Sequence, residues 1–123
     1  MTLDTSNGGA INQQLVAKYF KSLINRFFKI LPMREASEAT LETYMRSLQA
    51  ELLGCGGLIP DIGDDTSYLT LMSILQYLID NSTERIPVVK REVFRAINIC
   101  SKLEAIYRCK AISDQSHEGG DGE

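Results

Sequence analysis

The stretch PVVKREVFRAINICSKLEAIYRCK, residues 87–110, decides the fold. Within it Val89, Val93, Ala96, Ile97, Cys100, Leu103 and Tyr107 recur at steps of three and four, which places them on one side of a helix. Pro87 suits the first turn, where its missing N–H leaves no bond unmade. Arg91, Arg95, Asn98 and Lys102 fall within about 60° of one another on the far side, and no acid interrupts them in the pattern. The spacing predicts a helix that buries one face against other helices and turns a cationic ridge outward.

Upstream, residues 66–80 hold Tyr68, Leu69, Leu71, Met72, Ile74, Leu75, Tyr77, Leu78 and Ile79. These cover nearly the whole circumference, which predicts a buried third helix. Asp64 or Asp65 is its expected cap, and Asn81, Ser82 and Thr83 form the turn to the fourth helix. A second helix is expected from Ser37 as N-cap, with Glu38 favourably placed in the first turn. Leu41, Tyr44 or Met45, Leu48 and Leu52 form its apolar face, and Gly54 is its expected stop. Residues 55–65 then read as a glycine- and proline-broken connector, with Leu58, Ile59 and Ile62 tucked beneath it. The first helix starts near Ala10. Ile11, Leu15, Tyr19, Leu23, Phe27 and Ile30 recur at helical steps, and Val16, Phe20, Ile24 and Leu31 widen the stripe. Pro32 is expected to end it, because the residue before a proline avoids the helical region.

Four helices with short links predict an all-α fold, a compact four-helix bundle. The expected organisation is a flexible N-terminal arm over residues 1–9, a helical bundle domain over 10–110, and a disordered acidic tail over 111–123. The composition agrees: 123 residues suffice for one domain, and 44 % hydrophobic against 24 % charged residues can bury a core. Trp is absent, so that core is mostly aliphatic.

The net charge of −3 hides an uneven layout. Residues 1–34 sum to +4, 35–84 to −8, 85–110 to +5 and 111–123 to −4. The first helix repeats the cationic pattern of the fourth, with Lys18, Lys21 and Lys29 beside Gln14 and Asn25 and with no acid. Two basic stripes of this kind suit a phosphate backbone or an acidic protein surface. The absence of stacking aromatics on them disfavours single-stranded nucleic acid. The acidic tail and overall acidity disfavour any nucleic acid.

Catalytic signatures are missing. Gly54-Cys55-Gly56-Gly57 has no following Lys-Ser/Thr pair and no preceding strand, so it is no phosphate loop. A calcium loop starting at Asp61 would need an oxygen ligand at Gly63 and Glu at Met72. Cys55 lacks an activating His or Lys in the sequence around it, and the single histidine, His117, lies in the polar tail. Three cysteines and one histidine argue against a disulfide scaffold or a His-rich metal site. With no basic-then-apolar leader and no spanning stretch, a cytoplasmic protein with reduced Cys55, Cys100 and Cys109 is expected.

The runs at 25–33 (NRFFKILPM), 44–55 (YMRSLQAELLGC) and 91–100 (REVFRAINIC) resemble segments of short helical proteins, themselves uncharacterised, of gut-type Gram-positive bacteria and their phages or mobile elements. The likeness spans about residues 19–107. It implies an accessory protein and carries no activity, ligand or site.

The expectation is therefore a non-enzymatic protein, accessory or regulatory, without cofactor, metal or small-molecule ligand. It acts by binding another protein or by self-association, through Arg91, Arg95, Asn98 and Lys102 and through Lys18, Lys21 and Lys29. The alternative is a nucleic-acid-binding regulator that lays the last helix on phosphates. No membrane partner is expected.

Overall fold

The computed structural model describes residues 12–63 and 65–121, with side chains at 12–57, 59, 62–63 and 65–112. Helix α1 (Gln13–Phe28) starts where the Asn12 side chain accepts a hydrogen bond from the Leu15 N–H at 3.1 Å, so the cap lies later than Ala10. The arm at 1–9 lies outside the described residues.

Pro32 does not end this helix. The backbone breaks at Lys29 and resumes as the short α2 (Ile30–Glu35), with Pro32 inside it. The reason is the hydrogen-bond ladder. Lys29 N–H still reaches the Asn25 carbonyl and Met33 N–H the Lys29 carbonyl, but Pro32 has no N–H for the Phe28 carbonyl. One rung is lost four residues upstream of the proline, and the helix is interrupted there.

Ser37 closes α2; it does not open the next helix. It sits at φ 52°, the left-handed region. The Ser37 N–H donates to Arg34 and the Glu38 N–H to Met33, the paired pattern that seals a helix C-terminus. Helix α3 (Leu41–Leu58) follows after Thr40 and runs straight through Gly54, Gly56 and Gly57. The expected stop at Gly54 is thus overridden, and most of the expected connector is helical. Gly56 has a packing reason: a Cβ there would overlap the Tyr68 hydroxyl, which donates to the Leu52 carbonyl at 2.7 Å. Gly63 closes the single turn α4 (Pro60–Gly63), where a Cβ would lie 2.7 Å from the Gly56 carbonyl oxygen. Ile62 is fully buried beneath this corner.

Asp65 caps α5 (Thr66–Asp80), accepting from the N–H groups of Ser67 and Tyr68 at 2.7 and 3.2 Å. Its Tyr68, Leu71, Ile74, Leu75, Leu78 and Ile79 are buried. Leu69 and Tyr77 are exposed, so the helix is not apolar-packed all round. Helix α6 (Ile86–Asp121) carries Pro87 in its first turn and buries every one of its seven expected inner residues. Its backbone stays helical to Asp121, past residue 110. Residues 111–118 hold neither Pro nor Gly, and each residue added to a formed helix gains a bond at little cost.

The helices go up, down, up, down. Gln49 of α3 meets Gln76 of α5, and Leu52 meets Tyr68. Thr70, Ser73 and Tyr77 of α5 share a cleft with Arg91 and Arg95 of α6. Phe20 and Phe28 of α1 meet Tyr107 and Phe94 of α6, with ring centroids 6.1 and 5.7 Å apart. Each of these pairs is antiparallel, with α1 packed closely on α6, and α1 and α3 complete the square through the side chains of Arg26, Tyr44 and Glu51. The core is one cluster in which Phe20, Leu23, Phe27, Leu48, Leu52, Leu75 and Leu103 are essentially shut off from solvent. Two arginines tie the corners. Arg34 donates to the Glu84 and Thr83 carbonyls, holding α2 to the α5–α6 turn. Arg26 grips Glu51 of α3 through both guanidinium nitrogens at 2.5 and 2.7 Å.

Candidate partner-binding face

The square gives the basic stripes a position. The face made by α1 and α6 is opposite the face made by α3 and α5, and both expected stripes border the former. Lys18, Lys21 and Lys29 stand exposed on α1, and Arg91, Arg95, Asn98 and Lys102 stand exposed on α6. Arg26 and Arg34 face inward to structural bonds and are not part of it.

One feature of the α6 stripe differs from expectation. Glu92 is only 6 % exposed and accepts from both neighbours, Arg91 at 3.2 Å and Arg95 at 2.6 Å. A buried acid therefore flanks the ridge and pairs with two of its members. Being one residue after Arg91 and three before Arg95, it reaches both guanidiniums, and it lies with them in a cleft of about 330 Å³ beside Tyr77 and Ile74 of α5. Arg91 and Arg95 are partly neutralised and drawn toward α5. Among the described residues, no carboxylate lies within ion-pair distance of Lys18, Lys21, Lys29 or Lys102.

Between the stripes runs the α1–α6 groove. One end holds Phe28 and Phe94, packed edge to face with their rings nearly perpendicular (84°). They remain 41 % and 38 % exposed. The other end is a cleft of about 350 Å³ lined by Ala17, Lys18, Lys21, Glu104, Arg108 and Ile112, among others. Glu104 is paired by Arg108 at 2.9 Å, so its charge is answered within the groove wall. The sequence reading passed over both phenylalanines because neither lies on its helix's apolar arc. That offset is itself the signal: an aromatic outside the buried arc is left part-exposed at the surface.

The polar cluster between α1 and α3 is built around the Arg26–Glu51 pair. The Arg26 hydrogen bonds hold the Glu51 carboxyl below the usual carboxylate range, against a smaller opposing effect of burial. Tyr44 donates its hydroxyl to the Arg26 carbonyl at 2.8 Å. Burial first, then Glu51, pushes the Tyr19 hydroxyl and the Cys55 thiol upward. Burial alone pushes Cys100 to about 12. A neutral thiol is a poor nucleophile, so neither Cys55 nor Cys100 is poised for attack at neutral pH. Asp65 is committed to capping α5. No helix of the described residues is long and apolar enough to cross a membrane.

No protein-family model, curated relative or solved structure matches the chain.

Proposed function

We propose that this chain is a non-catalytic binding protein, accessory or regulatory in role, whose α1–α6 face engages an acidic surface on a protein partner. The observation that carries this reading is the set of exposed lysines, Lys18, Lys21, Lys29 and Lys102, on one side of the bundle, with no carboxylate in ion-pair distance among the described residues. Charges left exposed on one face steer an oppositely charged partner and set its orientation. The nucleic-acid alternative is weakened by Glu92, which places a carboxylate between the two arginines best suited to phosphate.

The test is affinity capture from the native cell extract with wild type and with Lys18→Glu/Lys21→Glu/Lys102→Glu. Partners retained at low salt by wild type and lost by the variant are expected, with release as salt rises. Equal recovery by both proteins rejects the reading. A low-salt gel shift with duplex DNA or RNA that the same variant abolishes turns the face over to nucleic acid.

A further inference from the structure

We infer that the α1–α6 groove is a docking track for an acidic amphipathic helix, with the exposed Phe28–Phe94 pair as its apolar anchor. This rests on the reading that the basic face binds protein, and it adds the partner's form.

Three observations converge on that occupant. First, the aromatic pair is half-finished packing. Phe28 and Phe94 pack edge to face yet keep about two-fifths of their surface in water. Exposed aromatics in a groove are the usual anchors of a protein contact, because large rigid rings bury much area with little loss of conformational freedom. Second, the groove has length. From Phe94 to Ile112, which is itself 55 % exposed, α6 runs about 27 Å at the helical rise. Ala17 and Ala111 keep the walls low at the far end. A helix of about five turns fits such a track, placing apolar residues at steps of three and four along the floor. Third, the rims select charge. Lys18, Lys21 and Lys29 stand on one side and Asn98 and Lys102 on the other, while the groove's described carboxylate, Glu104, is already held by Arg108. A partner helix carrying acids beside its apolar ridge meets unpaired cations on both rims; a basic helix meets repulsion on both. A second copy of this chain laid groove to groove would face the same repulsion, since an isologous contact sets each lysine rim against its like.

The probe is a fluorescein-labelled, end-capped peptide of about 18 residues, long enough to span the track at the helical rise, with Leu at helical spacing and Glu elsewhere. Its controls are a Lys-for-Glu counterpart and a scramble of the same composition. Anisotropy with the full chain is expected to show binding of the acidic helix alone, weakening as salt rises. Phe28→Ser/Phe94→Ser is expected to lose about tenfold or more in affinity, as is Lys21→Glu/Lys102→Glu, while Leu53→Ser on the opposite face binds like wild type. Should the double serine variant lose its helical circular dichroism, Asn98→Glu serves instead. It removes no packing, places an acid one turn from Phe94, and is expected to weaken binding severalfold. If the phenylalanine variants (or Asn98→Glu) bind like wild type while the lysine variant fails, the groove is wrong and the basic-face reading stands. If the lysine variant also binds like wild type, if the scramble or the lysine peptide binds as well, or if the acidic helix does not bind at all, the docking track is overturned.

Discussion

The α1–α6 face and the α3–α5 face are each a pair of antiparallel helices over the same core, and they present opposite surfaces to water. The first is cationic at its rims, with aromatics between them. The second centres on a shallow, uncharged hollow of Gln49, Leu53, Leu69, Met72, Ser73 and Gln76. There Leu53 and Leu69 are 59 % and 51 % exposed, and the two glutamine side chains bond to each other at 2.7 Å. The difference comes from where the charges went. On the α1 side of the molecule, Arg26 and Arg34 satisfy internal acceptors, so the lysines alone remain to face out. On α3 the carboxylates are spent locally: Glu42 on Arg46 and Glu51 on Arg26. Charge layout along the chain thus becomes charge layout between faces only after the internal bonds are subtracted.

The sharpest way to break the comparison is to cut into what the two faces share. Phe20 is fully buried and stacks on Tyr107 across the α1–α6 seam. Phe20→Ala is expected to lose about 3–5 kcal/mol, whereas Leu53→Ala on the exposed hollow should shift stability by no more than about 0.5 kcal/mol. Urea denaturation of both variants checks the pair, and equal losses would mean that the two sites are not buried as described.

A finer contrast lies within one helix. Gly56→Ala drives a methyl group into the Tyr68 ring and is expected to cost about 1–2 kcal/mol after the gain in helix propensity is counted. Gly54 faces open space, and Gly54→Ala should stabilise by up to about 1 kcal/mol. Thermal melts of the two variants in opposite directions are the expected result. Ser37 is the third site. A non-glycine residue in the left-handed region carries a penalty of about 1–2 kcal/mol, so Ser37→Gly should raise stability by about 0.5–1 kcal/mol net of glycine's larger unfolded-state entropy.

The smallest effect is electrostatic. Glu51 is held below its ordinary range by Arg26. Its contribution is therefore present above the usual carboxylate range and is lost as pH falls through its lowered folded value. The pair is partly open to solvent, so Glu51→Gln is expected to cost only about 0.5–1 kcal/mol at neutral pH. That gap should close as acid protonates the wild-type carboxyl below about pH 4. Denaturation curves at several pH values would show it, and a gap that does not change with pH would deny the pair its role.

The helix content was legible because apolar residues at steps of three and four leave few alternatives. All seven inner residues of α6 are where that spacing puts them. The boundaries were not legible, for reasons that are tertiary. Pro32 breaks the ladder upstream of itself and not at its own position. Ser37 takes a conformation usually given to glycine. Gly56, read locally as part of a loop, lies within α3, and its missing side chain makes room for Tyr68. The stripes were legible as positions on a helix; the Glu92 clamp was not, since burial decides whether a neighbouring acid turns in to join its arginines or points away. Nor did periodicity separate Leu69 and Tyr77 from their buried neighbours, because a helix apolar all round does not say which side lacks a partner.

The most direct measurement of the central claim is a titration of the isotope-labelled protein with the acidic amphipathic peptide, followed by amide chemical shifts. The account predicts perturbations that trace Lys18, Lys21, Asn25, Phe28, Phe94, Asn98 and Lys102, with the hollow around Leu53 and Leu69 unmoved. Shifts gathered on that hollow, with the α1–α6 groove silent, would contradict it.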